Sequence, residues 1–352
     1  MKKLTRFCLI FGLIGAVGLY TIDEANAAVD PETAFVFNSF SFLIHGFLVM
    51  FMAAGFAMLE SGLVRSKNTA AICLKNISLY SIAGLMFYIV GYSLMYTDVD
   101  GGWIGSFNFF YNPSSAELAL LNATDAGKDA ANSALLKDAT YSSMSDWFFQ
   151  MVFVATAASI VSGTLAERIK IIPFLIFVVF LAAIVYPIQG SWVWGAGWLS
   201  ELGFSDFAGS TLVHSTGGWA ALAGAIVLGA RKGKFGTNGE VNPMPGANLP
   251  LATLGAFILW FGWFGFNGGS QLALGTISDA TDVSKIFVNT NMAACGGVVT
   301  ALILTQILYK KVDLTIVLNG AIGGLVAITA EPLQPAIWQA ILIGAVGGVI
   351  VS

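Results

Sequence analysis

Long, predominantly apolar stretches separated by short polar segments dominate the chain, and nine of them read as membrane-crossing helices: 35–60, 73–97, 145–164, 171–190, 208–230, 249–270, 286–309, 314–330 and 336–352. A helix needs about 20 apolar residues to cross the hydrocarbon layer, so the 314–330 stretch is marginal. The polar segments carry a sign. Arg65, Lys67 and Lys75, then Arg168 and Lys170, then Arg231, Lys232 and Lys234, then Lys310 and Lys311 fall in alternate connections. Cationic residues collect on the cytoplasmic side, so this pattern places the start of the first span outside. The 97–146 segment contains Asp98, Asp100, Glu117, Asp125, Asp129 and Asp138 against only Lys128 and Lys137. It is expected to be an external loop, and its Asn, Ser, Ala and Asp content predicts the least ordered part of the mature chain.

The first residues read differently. Basic residues within 1–6, an apolar run over 7–20 and the small-x-small triplet Ala25-Asn26-Ala27 form the pattern of a secretory signal peptide. The expected organisation is a signal peptide at 1–27 and a membrane domain at 28–352, with the mature N-terminus outside. Composition agrees: 57% hydrophobic residues, 10% charged and 40 glycines in 352 residues exceed what a soluble core requires, and the class is an all-α polytopic membrane protein. A net charge of -4 and the lack of a basic tract argue against a nucleic-acid partner. Cys8, Cys73 and Cys295 lie in apolar stretches without metal-ligand or disulfide spacing, and no metal or cofactor is expected.

Candidate chemistry centres on His214, one imidazole in the stretch "DFAGSTLVHSTGGWAALAGAIVLGARKGK" from Asp206. At about 1.5 Å per residue it lies roughly 12 Å below Asp206, inside the hydrocarbon layer. Such a group is either a neutral histidine hydrogen-bonded between helices or part of a site, and desolvation favours the neutral ring. Asp206 stands where a helix N-cap or an external acidic residue would. Phe149 and Phe153, then Trp192, Trp194 and Trp198, then Phe266 and Ser270 all fall at the external ends of spans. They form an interfacial aromatic belt or a site holding a small cation by cation-π contact and a hydroxyl. Glu60 and Glu167 read as partners of Arg65 and Arg168 at cytoplasmic helix ends. "NPMPG" from Asn242 is half of a water-channel motif without its twin. Ser210, Thr211 and Ser215 lie near His214 with no supporting base or oxyanion motif, so no enzyme is expected.

Four motifs add a resemblance: "AAGFAMLESGLVRSKN" from Ala53, "GTLAERIK" from Gly163, the Asp206 stretch, and "WFGFNGGS" from Trp263 with "VNTNMAA" from Val288. Together they resemble the ammonium transporter (Amt/Mep/Rh) family, of bacterial Amt type. The resemblance implies an inverted-repeat fold, ammonium held by Phe153, Trp194 and Ser270, a gate of Phe153 and Phe266, Phe149 in the vestibule, and His214 as the first of two pore histidines. Asp206 is implied as structural or cation-attracting. It further implies NH4+ deprotonation with NH3 conduction, a homotrimer in the bacterial inner membrane and a PII-type cytoplasmic regulator. An ammonium sensor feeding a signalling domain is the alternative. The family has eleven spans with its second pore histidine on the tenth, whereas this chain reaches about nine. His45, the other histidine, stands where the family pattern needs none. The chain is therefore expected to be C-terminally incomplete and, expressed in this form, to conduct little ammonium.

Overall fold

A computed structural model describes residues 29–352; the expected signal peptide and Cys8 lie outside them. Among the described residues, seven helices are long and apolar enough to cross a membrane. They are α1 (Pro31–Leu63), α2 (Ser66–Tyr96), α5 (Ser143–Leu165), α6 (Ile171–Ser191), α7 (Ser210–Leu228), α8 (Leu249–Gly269) and α9 (Ile277–Tyr309). Two shorter apolar helices follow, α10 (Leu314–Ile328) and α11 (Ile337–Val351). Nine spans are expected and a helix occupies each place, but the last two, at 15 residues each, are shorter than the roughly 20 residues a crossing needs. α1 and α9 run to 33 residues, longer than the apolar stretches alone indicated, because polar first turns extend them. Asp30 caps α1 by accepting from the Glu32 and Thr33 amides, with Pro31 in the first turn. Thr276 and Asp279 form a reciprocal capping box on α9.

The helices are apolar on both their inward and outward faces. Phe47, Phe51, Trp219, Ile226, Val227 and Phe257 are exposed, as lipid contact requires and water does not tolerate. α5 is the central helix, with 78% of its apolar window buried against 28% for α7. α8 lies along α1, and α9, α10 and α11 pack as a group. Glycine permits the closest approach: a Cβ on Gly344 of α11 would stand 1.9 Å from the Ala293 carbonyl oxygen of α9.

The 97–146 segment departs from expectation. It folds into α3 (Ser115–Leu121) and α4 (Lys128–Asp138), and its last residues already belong to α5. Tertiary contacts hold it down. The Phe110 and Tyr111 amides donate to the Ile89 and Tyr88 carbonyls of α2, Tyr111 stacks on Trp147 at 5.5 Å, and the buried Glu117 carboxylate accepts from the Ser143 amide at 2.9 Å and from its hydroxyl. This side of the molecule is called the loop end below.

At the opposite end, Glu167 joins three connections. Its carboxylate pairs with Arg65 at 3.0 Å and Arg231 at 3.2 Å and accepts from the Asn68 side chain. Arg168, the partner expected from sequence, instead donates to the Gly229 carbonyl at 3.0 Å. Burial pushes the Glu167 carboxyl up, but the Arg65 and Asn68 hydrogen bonds together with Arg231 outweigh it and hold the group below its ordinary 4.5. A depressed folded-state value stabilises the fold above 4.5, and that stabilisation is lost as pH falls through the lower folded value. Unfolding midpoints in detergent should therefore drop more steeply below that pH for the parent than for Glu167→Gln. Parallel acid limbs for the two proteins would contradict the role given to Glu167.

Candidate functional site

α5 presents Asp146, Phe149, Gln150 and Phe153 at helical spacing, so all four share one face at the loop end. Opposite them, α6 ends and the chain turns back through Trp194 toward α7. The Trp194 indole N–H donates to the Asp206 carbonyl at 2.8 Å, which fixes the ring. Just past the end of α8, at its C-cap, stands Ser270, whose hydroxyl donates to the Phe266 carbonyl at 2.8 Å. The structure brings Phe149, Phe153, Trp194 and Ser270 to the wall of one cavity of about 380 Å³, together with Tyr92, Tyr96, Tyr141 and Asp146. Phe153 meets Phe149 at 4.7 Å and Trp194 edge-on at 5.9 Å. Trp192 and Trp198 lie elsewhere, clustered with Trp103.

The floor of this cavity is a stacked pair. Phe153 and Phe266 lie ring on ring with centroids 4.0 Å apart and planes 27° from parallel, both with at most 1% of their surface exposed. Beneath them, His214 packs edge-on to Phe266 at 5.2 Å and stacks on Trp263 at 4.9 Å. A second cavity, of about 540 Å³, opens below and is lined by His214, Trp263, Ser159, Ser215, Glu60 and Arg231 among others. The order is therefore outer cavity, Phe153, Phe266, His214, inner cavity.

The entry of α7 explains how His214 is held. Gly209 is left-handed at φ 101°, and a Cβ there would come within 2.7 Å of Val213 and 3.0 Å of Trp194, so glycine is required. The chain then makes a π-helical turn over Ser210–Ser215, a local widening often found at functional positions. The turn directs the His214 ring back so that Nδ1 lies 3.0 Å from the Gly209 carbonyl. A carbonyl only accepts, so Nδ1 carries the proton and, in the neutral ring, Nε2 offers a lone pair. Nε2 is buried without a hydrogen-bond partner.

Asp206 acts as a cap. Its Oδ1 accepts from the Gly209 and Ser210 amides at 3.0 Å each, and its Oδ2 from Thr211 at 2.7 Å and Leu212 at 2.9 Å. Four otherwise unpaired N–H groups at the start of α7 are satisfied by one carboxylate. Burial still pushes this carboxyl up, with the four backbone donors opposing.

Sequence reasoning missed several groups. Glu60 and Lys75 form a buried ion pair at 3.3 Å, so Lys75 belongs to the helix interior rather than to a polar connection and Glu60 pairs with it instead of Arg65. Asp146, the last residue of the 97–146 segment, has no role in the sequence reading, although its spacing of three and seven residues from Phe149 and Phe153 signals a shared face. His45 is a packed core residue, bonded to the Ser41 hydroxyl at 3.0 Å and edge-on to Phe287. Cys73 and Cys295 are free thiols, and among the described residues no cluster of metal-ligating side chains occurs.

The model of the Ammonium Transporter Family matches residues 40–352. Ammonium transporter Amt2 of Archaeoglobus fulgidus is 42% identical over 320 residues, which is 88% of this chain and 63% of that protein. An ammonium transporter of Bacillus subtilis is 34% identical over 86% of this chain and 68% of its own length. This chain thus spans somewhat under two thirds of the Amt2 relative. Among solved structures, one described as a sensor Amt protein superposes with a TM-score of 0.79 at 38% identity, covering 91% of this chain and 75% of that one. Candida albicans Mep2 superposes at 0.75 with 27% identity, covering 92% and 67%. The helical arrangement described above is the one these structures share.

Proposed function

The chain belongs to the Ammonium Transporter Family and is a multi-pass membrane protein of that fold, and from this premise we propose that it carries ammonium nitrogen across the membrane. The loop end is external. NH4+ is captured in the outer cavity against the faces of Phe153 and Trp194 and the Ser270 oxygen, with Phe149 lining the vestibule. It loses its proton near the gate, NH3 passes when the Phe153–Phe266 stack parts, and His214 lines the apolar passage beyond. The observation that carries this reading is the axial order of aromatic cavity, stacked gate, buried histidine and inner cavity.

The physics separates cargo from competitor. A charged ion pays a large desolvation cost in a narrow apolar passage that neutral NH3 avoids. K+ has no proton to give up, so the same passage rejects it. Asp206, with every near amide on its oxygens, holds the α7 entry in shape rather than attracting the cation. In this reading the protein sits in a bacterial inner membrane as a homotrimer with the mature N-terminus outside, and a PII-type protein regulates it from the cytoplasm. The likeness to the sensor Amt structure favours a second reading, in which the same site reports ammonium to a signalling domain.

Reconstituted in its full-length form, the protein should take up radiolabelled methylammonium saturably, with inhibition by ammonium and none by K+. Uptake no greater than that of empty liposomes would defeat the transport reading. Absent uptake with ammonium binding retained would favour the sensor.

A further inference from the structure

Two carboxylates lie near the outer end of the passage, and their surroundings differ. The Asp206 oxygens are saturated by four backbone amides. Asp146 has only two donors, both long: Gln150 Nε2 at 3.3 Å on Oδ1 and the Tyr92 hydroxyl at 3.4 Å on Oδ2. Among the described residues its carboxylate makes no ion pair. Nor does it cap its helix, since the Ser142 hydroxyl accepts from the Ser145 amide and the Glu117 carboxylate from the Ser143 amide. A partly buried anion without a cation is unfavourable unless something arrives to compensate it.

Asp146 also lines the outer cavity, and other oxygen atoms there lack donors. The Tyr96 hydroxyl is shut off from solvent without a hydrogen-bond partner, and the Ser270 oxygen, having donated its hydrogen to Phe266, retains accepting capacity. Phe149, Phe153 and Trp194 supply π faces on the same wall. A negative oxygen pair, neutral acceptor oxygens and aromatic faces around a space of about 380 Å³ complement a small cation with several N–H donors.

We propose that Asp146 is the counter-ion of the outer cavity, binding ammonium or a small primary ammonium ion through its carboxylate, with Tyr96 as a further acceptor. The proposal rests on the transport reading for its biological sense, but the binding it describes is measured without transport. Asp146 sets the affinity of capture and takes no part in passage below the gate. The aromatic wall selects against strongly hydrated ions, and the carboxylate raises occupancy at low ammonium.

Two measurements test it. In detergent, ammonium chloride should raise the unfolding temperature of the parent protein at concentrations where potassium chloride does not. Asp146→Asn should unfold normally without added cation but need at least tenfold more ammonium chloride for half the shift. An unchanged half-point in that variant overturns the proposal. The second measurement uses the unaltered protein and so holds even where the variant does not fold. Crystals soaked in thallium(I), an electron-dense ion close to ammonium in size, should show anomalous density within about 4 Å of the Asp146 oxygens, where a direct ionic contact is made. Density confined to the neighbourhood of Phe153, Trp194 and Ser270, or no density at all, overturns it. A protein that binds ammonium at Asp146 yet takes up no methylammonium would defeat the transport reading and leave this one standing.

Discussion

Lys75→Met is expected to destabilise the protein by about 3–5 kcal/mol, the usual consequence of leaving a buried charge without its partner. Lys75 and Glu60 are each 5% exposed. The ammonium group stands 3.3 Å from Glu60 Oε2, donates to the Ser162 carbonyl at 2.6 Å and lies 5.2 Å from the centre of the Phe174 ring. The Ser162 hydroxyl donates to the same Glu60 oxygen at 2.8 Å. Methionine keeps the volume of the lysine stem and removes only the charge, so α1, α2 and α5 would enclose an uncompensated carboxylate. Adding Glu60→Gln should recover most of the loss, because the desolvation cost belongs to the charge and not to the shape. The contrast is the pair Lys128–Asp125, equally well formed at 2.8 Å but 55% and 98% exposed. There Lys128→Ala should cost no more than about 1 kcal/mol, since water screens the attraction. Denaturant midpoints of the four proteins decide the matter. A Lys75→Met protein as stable as the parent would mean that the Glu60 carboxyl is uncharged in the fold.

In the full-length protein, His214→Ala should reduce the maximal rate of methylammonium uptake at least tenfold while leaving half-saturation within about threefold, a barrier change of about 1.4 kcal/mol or more that spares capture. The separation follows from position. Phe153 and Phe266 stand between the outer cavity and the ring, so His214 cannot contact a cation held above them. What alanine removes is the unpaired Nε2 and the stacked surface on Trp263, both beneath the gate. The helix entry should survive, because the Gly209 carbonyl keeps the Val213 and residue-214 amides as donors at 3.0 Å each. Initial rates in proteoliposomes across a range of methylammonium concentrations give both constants. A raised half-saturation with an unchanged maximal rate would move His214 out of the passage and into capture.

Much of this arrangement follows from the chain alone. The number and place of the apolar helices were legible because each must supply its own run of nonpolar residues to lipid. Their starts at Asp30, Thr276 and Asp313 are set by side chains that bond amides two or three residues on. The shared face of Phe149 and Phe153 is a consequence of helical periodicity, and the capping role open to Asp206 needs only its place before Gly209. These are local relations, in which cause and effect lie within one or two turns.

Only the tertiary structure decided the rest. Phe153 and Phe266 stack although 113 positions separate them, because α5 and α8 both approach the axis. Nothing near Lys75 in sequence names Glu60 as its partner; in sequence Lys75 stands among the cationic residues of a polar connection, and packing of α1 against α2 and α5 buries it. The 97–146 segment is poor in apolar residues, yet it folds because Glu117, Phe110 and Tyr111 bind groups on α2 and α5 that no local pattern reveals. The direction of the His214 lone pair depends on a left-handed glycine and a π turn, whose geometry is stabilised by Asp206 and the surrounding helices. Hydrophobic periodicity fixes what each segment is. Which side chains meet depends on distances closed between segments, and those are set by the packing of all the helices at once.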